Sequence, residues 1–314
     1  MSKISIIIPV YKVEEYLPEC LLGLIAQTYH NWEAICVDDG SPDNCGKILD
    51  DFALKDARIK VIHQANQGTA VARQTAIDNA TGQYFAFLDS DDVYAPTFLE
   101  EMYNTIKEHN VDIVYCDRLK GAVLTEWEQL NSKQKVSIYD NVFEKFIQKS
   151  PNFSMCLWNK VYKRELFENL SEVPALPVGQ DLCLLYQLMY NAKNIAHVSQ
   201  KLYFYRIREN SSIRTKFSQR NIDGVIGLQT FLYNTFNKKQ LNEKIWKYMQ
   251  ISIAKAILKI CIIDPYKRDK SNYKEWYKKT LPLLKKLEED KIYSPQHLPL
   301  KYKIKKWWYL LGVK

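Results

Sequence analysis

Between residues 4 and 118, short apolar runs rich in β-branched residues alternate with longer amphipathic stretches, and no other feature restricts the fold so tightly. ISIIIPV (4–10) reads as a buried strand closed by a proline. Behind it Tyr16, Cys20, Leu24 and Tyr29 recur at helical spacing. WEAICVDDGS is a second strand ending in two carboxylates and a turn, followed by a helix from Asn44 to about Lys55 and a short strand, IKVIH. NQGTAVARQTAIDNATG predicts a helix stopped at Gly82, and YFAFLD the next strand. APTFLEEMYNTIKEHN is a helix with Pro96 near its start, and VDIVYC one more strand. Such alternation predicts an α/β fold: a Rossmann-like, mostly parallel sheet flanked by helices. From about Lys120 the pattern is irregular, and beyond Phe217 it is mostly helical, basic and aromatic. The expected organisation is therefore an α/β domain over 1–217 and a helical extension over 218–314.

The alternation also locates the chemistry, because ligands of open α/β sheets sit beyond the carboxyl ends of the strands. Those ends are Pro9-Val10-Tyr11, Asp38-Asp39-Gly40 and Asp89-Ser90-Asp91-Asp92, all on one edge. An Asx turn alone would account for Asp38 and Asp39, and a helix cap for Asp92. Capping uses one carboxylate, however, and ionised groups ~4 Å apart repel by ~4 kcal/mol per pair at an effective dielectric of ~20. A divalent cation removes that repulsion, and hard oxygen ligands suit Mg²⁺ or Mn²⁺. Mg²⁺ takes one or two protein carboxylates and fills its shell with phosphates, so the expected partner of Asp89, Asp91 and Asp92 is a metal-bound diphosphate.

Composition narrows the classes further. The seven cysteines are scattered without a CxxC spacing, which predicts reduced thiols in a cytoplasmic protein and argues against zinc. The apolar N-terminal stretch is too short for a signal peptide, and no run approaches the ~18 apolar residues of a membrane span. The net charge of +8 is unevenly placed. From Lys238 onward 20 Lys and Arg face 7 Asp and Glu, whereas the first 237 residues have 24 basic against 29 acidic side chains. The two parts face different partners.

With SIIIPVYKVEEYL, AICVDDGSPDN, NQGTAVAR, GQYFAFLDSDD and GQDLCLL in one order, the chain resembles family 2 inverting glycosyltransferases of the GT-A fold, such as bacterial enzymes of capsule, lipopolysaccharide and exopolysaccharide assembly. The likeness is strongest over 3–118, weaker over 150–215, and absent from the last hundred residues. It implies a nucleotide-binding half (1–118) and an acceptor-side half (119–217). It implies that Pro9, Val10 and Tyr11 line the base pocket, and that Asp38 and Asp39 serve the nucleotide, Asp39 accepting the uracil N–H. Arg73 would meet the nucleotide and diphosphate. Asp89, with Ser90, would hold the ribose or a metal-bound water, and Asp91 would coordinate Mn²⁺ or Mg²⁺ directly, while a structural role stays open for Asp92. The family's general base lies in a Gly-x-Glu-Asp pattern, which PVGQDLCLL matches with Asp181, Gln180 standing where glutamate is usual. A helix cap is the alternative for Asp181. MCLWNKVYKRELF and YFYRIRENSSI also match family blocks, making Lys160, Arg206 and Arg208 candidates for the diphosphate or an acceptor phosphate. Packing is the favoured role for Trp158 and Tyr205, and the histidines show no partner spacing.

The expected partners are thus a nucleotide sugar, by resemblance a UDP-sugar, and a saccharide or lipid-linked saccharide acceptor; homodimerisation stays open. Two rivals are a phosphotransferase of the haloacid-dehalogenase type, disfavoured because its Asp-x-Asp belongs to a first strand, and a degenerate transferase serving as a scaffold, favoured only by Gln180. No G-x-G-x-x-G follows any strand, which disfavours a dinucleotide-binding dehydrogenase. The acidic first part disfavours nucleic acid. LKYKIKKWWYLLGVK sets Lys301, Lys303, Lys305 and Lys306 before Trp307, Trp308, Tyr309, Leu310 and Leu311. That pattern predicts peripheral contact with an anionic membrane, each lysine adding ~1 kcal/mol, with a packed terminal helix as the alternative.

Overall fold

The computed structural model describes residues 2–125, 127, 135–148, 153–208, 217–237, 239 and 241–303. Strands β1 (Ile4–Val10), β2 (Trp32–Asp38), β3 (Ile59–His63) and β4 (Tyr84–Phe87) pair in parallel in the order β3-β2-β1-β4. The mostly apolar runs of β1, β2 and β4 suit strands covered on both faces. All of β2 and β4 is buried, and β1 is buried except at half-buried Pro9. The intervening helices are α1 (Leu17–Ile25), α2 (Cys45–Ala53) and α3 (Thr69–Asp78), with α4 (Phe98–His109) after the carboxylate turn. Pro18 lies in the first turn of α1, where its missing N–H costs no intrahelical bond.

The sheet continues with β5 (Val93–Tyr94), β6 (Ile113–Gly121), β7 (Val136–Asp140), β8 (Lys160–Lys163) and β9 (Asn194–Arg206), in the order β4-β8-β6-β9-β5, with β7 also on β9. β8, from the stretch that looks irregular in the sequence, lies between β4 and β6 and runs antiparallel to both. Four residues are too few to display a strand period, so β8 is silent in the sequence. Because β8 reverses direction twice over, β6 is parallel to β4, and β9 is parallel to β6. The carboxyl ends of β1, β2, β4, β6 and β9 therefore share one edge, where β8 begins.

The chain forms two compact units. The first comprises Met1–Phe143, Pro151–Leu170 and Gln187–Glu209 and holds the sheet; the second comprises Glu144–Ser150, Ser171–Tyr186 and Asn210–Lys314. Helices α5 (Val142–Ile147) and α6 (Gln180–Asn191) each begin in one unit and end in the other. The second unit also contains α7 (Gln219–Asn237), α8 (Glu243–Leu258), α9 (Asp264–Arg268) and α10 (Tyr273–Glu289). Asn242 caps α8 by accepting the Ile245 N–H at 3.0 Å. Between α8 and α9 the helix widens to π geometry over Lys259–Ile263, and the buried Thr280 hydroxyl donates to the Cys261 carbonyl at 2.9 Å. All seven cysteines are free thiols, six of them buried. Among the described residues no helix is long and apolar enough to cross a membrane.

Candidate functional site

Asp38 closes β2. Its Oδ1 accepts the Ser41 N–H at 3.0 Å, and its Oδ2 lies 3.0 Å from His63 Nδ1. His63 Nε2 in turn lies 3.2 Å from Asp50 Oδ1. Hydrogen bonding to Asp38 first, then to Asp50, raises the His63 pKa. Asp39 is buried and accepts three hydrogen bonds, from Gln64 Nε2 (2.8 Å), the Gln67 N–H (2.9 Å) and the Gly68 N–H (2.8 Å). These bonds fix the loop into α3. A carboxylate offers about four lone-pair sites, so one remains for a ligand. On α3, the Nε of Arg73 is a buried donor that finds no hydrogen-bond partner among the described residues, a condition rare in folded chains unless a ligand or water completes it.

The carboxylate turn follows β4. The Ser90 hydroxyl donates to the Pro9 carbonyl at 3.0 Å and so ties this turn to the end of β1, beside exposed Tyr11. Asp92 is buried and accepts the Tyr203 hydroxyl (2.6 Å) and the Arg206 N–H (2.8 Å). Burial, reinforced by the charges of Asp89 and Asp91, pushes its pKa up to about 8. Asp92 does not cap the following helix, whose N-cap is Thr97; it is the acceptor that docks β9. Asp91 Oδ2 pairs with Arg208 Nε at 2.7 Å, while the Asp91 carbonyl accepts from Arg206 Nε at 2.9 Å. Arg206 also donates to the Ala122 carbonyl and to Glu19, and lies over the Tyr16 ring.

Three cations were candidates for a phosphate, and the geometry separates them. Arg206 is buried among internal acceptors. Lys160 is also buried, donating to the Cys156 carbonyl and Asn159 Oδ1, and burial pulls its pKa down to about 8. Arg208 alone of the three is half-buried with its guanidinium on Asp91.

Asp181 belongs to the second unit, half-buried in the first turn of α6. The loop before it packs on α7 at two glycines. A Cβ on Gly224 would lie 2.1 Å from Val178 Cγ2 and 2.8 Å from the Val178 carbonyl oxygen, and one on Gly227 would lie 2.3 Å from Leu176 Cδ2. Arg220 Nη2 donates to the Pro177 carbonyl at 3.1 Å. Gln180 Nε2 donates to the Leu176 carbonyl. An ionised glutamate has no donor for that bond, so Gln180 has a local structural task at the position where the resemblance leads one to expect an acid.

Sequence reasoning missed Tyr203, His63 and Gln64. Tyr203 meets Asp92 across 111 residues, a separation no pattern reports. His63 carries no partner spacing, yet it bridges two carboxylates; a signal was available in its place at the carboxyl end of β3.

Among the described residues no group of three or more His, Cys, Asp and Glu side chains is arranged to hold a metal ion alone. Asp89 and Asp91 supply hard oxygen donors close enough to raise the Asp92 pKa by their charge. That donor set fits Mg²⁺ or Mn²⁺ whose shell is completed by phosphates.

The sequence profile described as glycosyl transferase family 2 matches residues 5–171. The chain is 33% identical over 265 residues to the glycosyltransferase GlyA of Streptococcus pneumoniae, covering 81% of this chain and 38% of that protein. It is 33% identical over 213 residues to the glycosyltransferase EpsJ of Bacillus subtilis, covering 66% of this chain and 62% of that one. It thus spans less than two thirds of either relative. Among solved structures, TarS 1-349 of S. aureus in complex with UDP-GlcNAc superimposes with a TM-score of 0.59 at 19% identity, covering 88% of this chain and 90% of that chain. The mannosyltransferase PcManGT of Pyrobaculum calidifontis, in complex with GDP-Man and Mn²⁺, does so with a TM-score of 0.56 at 16% identity, covering 92% and 75%. These likenesses establish a GT-A-type fold.

Proposed function

The chain belongs to glycosyl transferase family 2, and from that premise we propose that it moves a sugar from a nucleotide-diphosphate donor, a UDP-sugar, to a hydroxyl of a saccharide or lipid-linked saccharide in cell-surface polysaccharide synthesis. One observation supports this above the rest. The carboxyl edge gathers the end of β1, the Asp38–Asp39 turn and the Asp89–Asp91 turn, joined by the Ser90–Pro9 hydrogen bond. The donors named with TarS and PcManGT support the nucleotide-sugar class.

Asp39 accepts the base N–H with its remaining lone pair, and Arg73 Nε gains an acceptor on the nucleotide. Asp89 and Asp91 would hold Mn²⁺ or Mg²⁺, which supplies charge neutralisation to the departing diphosphate. Asp181 takes the proton of the acceptor hydroxyl as its oxygen bonds to the anomeric carbon and the carbon–diphosphate bond breaks. An α-linked donor gives a β-linked product. A positioned carboxylate base contributes ~10²–10⁴-fold. We place the enzyme at an anionic membrane through its basic C-terminal residues. Of these, Lys301 and Lys303 are described, whereas Lys305, Lys306 and Trp307 to Leu311 lie outside the described residues.

The test is a thermal-shift screen of nucleotide sugars with Mn²⁺, followed by turnover of the stabilising donors. Stabilisation and hydrolysis or transfer are expected for a UDP-sugar. Absence of any nucleotide-dependent shift would remove the reading.

A further inference from the structure

We propose that Arg118, laid over the indole of Trp158 at the carboxyl edge, recognises an anionic group of the substrate, a phosphate or a carboxylate. The identity of that substrate rests on the glycosyltransferase reading above.

The position comes from five contacts. The Cys116 N–H donates to the Asn159 carbonyl at 3.1 Å, and Asn159 Nδ2 donates to the Cys116 carbonyl at 2.6 Å. These bonds hold Trp158 beside the middle of β6. Trp158 stacks on Tyr203 with centroids 4.3 Å apart, and the Tyr203 hydroxyl is bonded to Asp92. A single ring therefore separates Trp158 from the carboxylate turn. The Arg118 guanidinium lies 5.3 Å from the Trp158 ring centroid.

Arg118 is half-buried, and among the described residues no carboxylate and no hydrogen-bond acceptor engages it. Its neighbour Asp117 is committed to His197 Nε2 at 3.0 Å. Beyond burial, the Arg118 charge further depresses the ammonium of Lys160. The backbone aims the side chain here by an irregularity: between the Cys116–Val198 and Arg118–Tyr203 pairings, β9 advances five residues while β6 advances two. Bulges of this kind re-aim side chains and are over-represented next to active sites.

The chemistry follows from the guanidinium. It is permanently charged, and stacking on an indole fixes its plane while leaving the N–H edge free. That edge matches a carboxylate or phosphate in bidentate fashion. A partly desolvated charge without a partner is costly, and a substrate anion removes the cost. Such an anion has two sources at this edge: the donor diphosphate, or a phosphate or uronate on the acceptor.

The experiment compares wild type with Arg118→Gln and Arg118→Lys. UDP and UMP binding with Mn²⁺ are measured by calorimetry, and phosphate and glucuronate binding to the UDP-saturated protein by ligand-observed NMR. A loss of about tenfold or more for UDP with UMP unchanged assigns Arg118 to the donor diphosphate, the scale of a charge-assisted hydrogen bond. Unchanged UDP with lost phosphate or glucuronate binding assigns it to the acceptor, and partial recovery in Arg118→Lys supports either assignment. The proposal is overturned if all four probes bind the variants as they bind wild type. It is equally overturned if both variants melt lower and lose UMP and UDP in proportion, the signature of a packing role. If wild type binds no nucleotide, the glycosyltransferase reading fails separately, and phosphate and glucuronate binding to the nucleotide-free protein still reads Arg118.

Discussion

Replacing Gly224 by alanine tests whether α7 is the seat of the Asp181 loop. Within a helix the exchange gains ~1 kcal/mol of propensity. Against it, the new methyl would stand 2.1 Å from Val178 Cγ2, 2.8 Å from the Val178 carbonyl oxygen and 3.2 Å from the Val178 nitrogen. Two of these atoms are backbone, so rotamer changes cannot clear them and the loop itself must shift. Overpacking of this kind costs ~1–3 kcal/mol, leaving a net destabilisation of ~1 kcal/mol. Gly227→Ala is the internal control. The three atoms nearest its methyl are all side-chain atoms of Leu176, and a rotamer adjustment of ~0.5–1.5 kcal/mol roughly cancels the propensity gain. Urea melts should therefore rank Gly224→Ala below wild type and Gly227→Ala level with it. Transfer assays should show kcat falling further in Gly224→Ala than stability alone explains, because a shift of ~1 Å in a catalytic group costs ~10²-fold. If Gly224→Ala is as stable as Gly227→Ala and turns over normally, the glycines do not seat the loop.

Asp181→Asn should leave UDP binding near wild type and lower transfer by ~10² or more; turnover within a few-fold of wild type would assign the base elsewhere. Asp91→Asn should abolish the Mn²⁺-dependent thermal shift given by UDP with the fold intact by circular dichroism, and wild-type transfer that survives exhaustive chelation would refute a metal role. His63 has a raised folded-state pKa, so its contribution to stability is fully present below its unfolded pKa of ~6.5 and is lost as pH rises through the folded value. Urea midpoints should accordingly fall over that window in wild type and not in His63→Gln, and parallel profiles would show that the Asp38–His63–Asp50 bridge adds nothing.

What the sequence discloses here depends on how locally each feature is encoded. β1, β2 and β4 are legible because burial on both faces demands short, mostly apolar runs, and their ends then locate Asp38, Asp39, Asp89 and Asp91 without any knowledge of contacts. β8 is illegible because its four residues show no period and its role, joining β4 to β6, is defined only by partners far along the chain. The same distance hides the chemistry of the cations. Lys160, Arg206 and Arg208 look alike in the sequence, yet burial commits the first two to internal acceptors and leaves the third on Asp91. Gln180 shows the converse. As a departure from a family pattern it reads as lost acidity, but its amide donates to the Leu176 carbonyl, a bond the usual carboxylate cannot make. Residue type thus reports which chemistry is available, whereas the partners that decide its use are set by topology. For that reason the carboxylates of this edge were found from the sequence, while Tyr203, which positions one of them, was not.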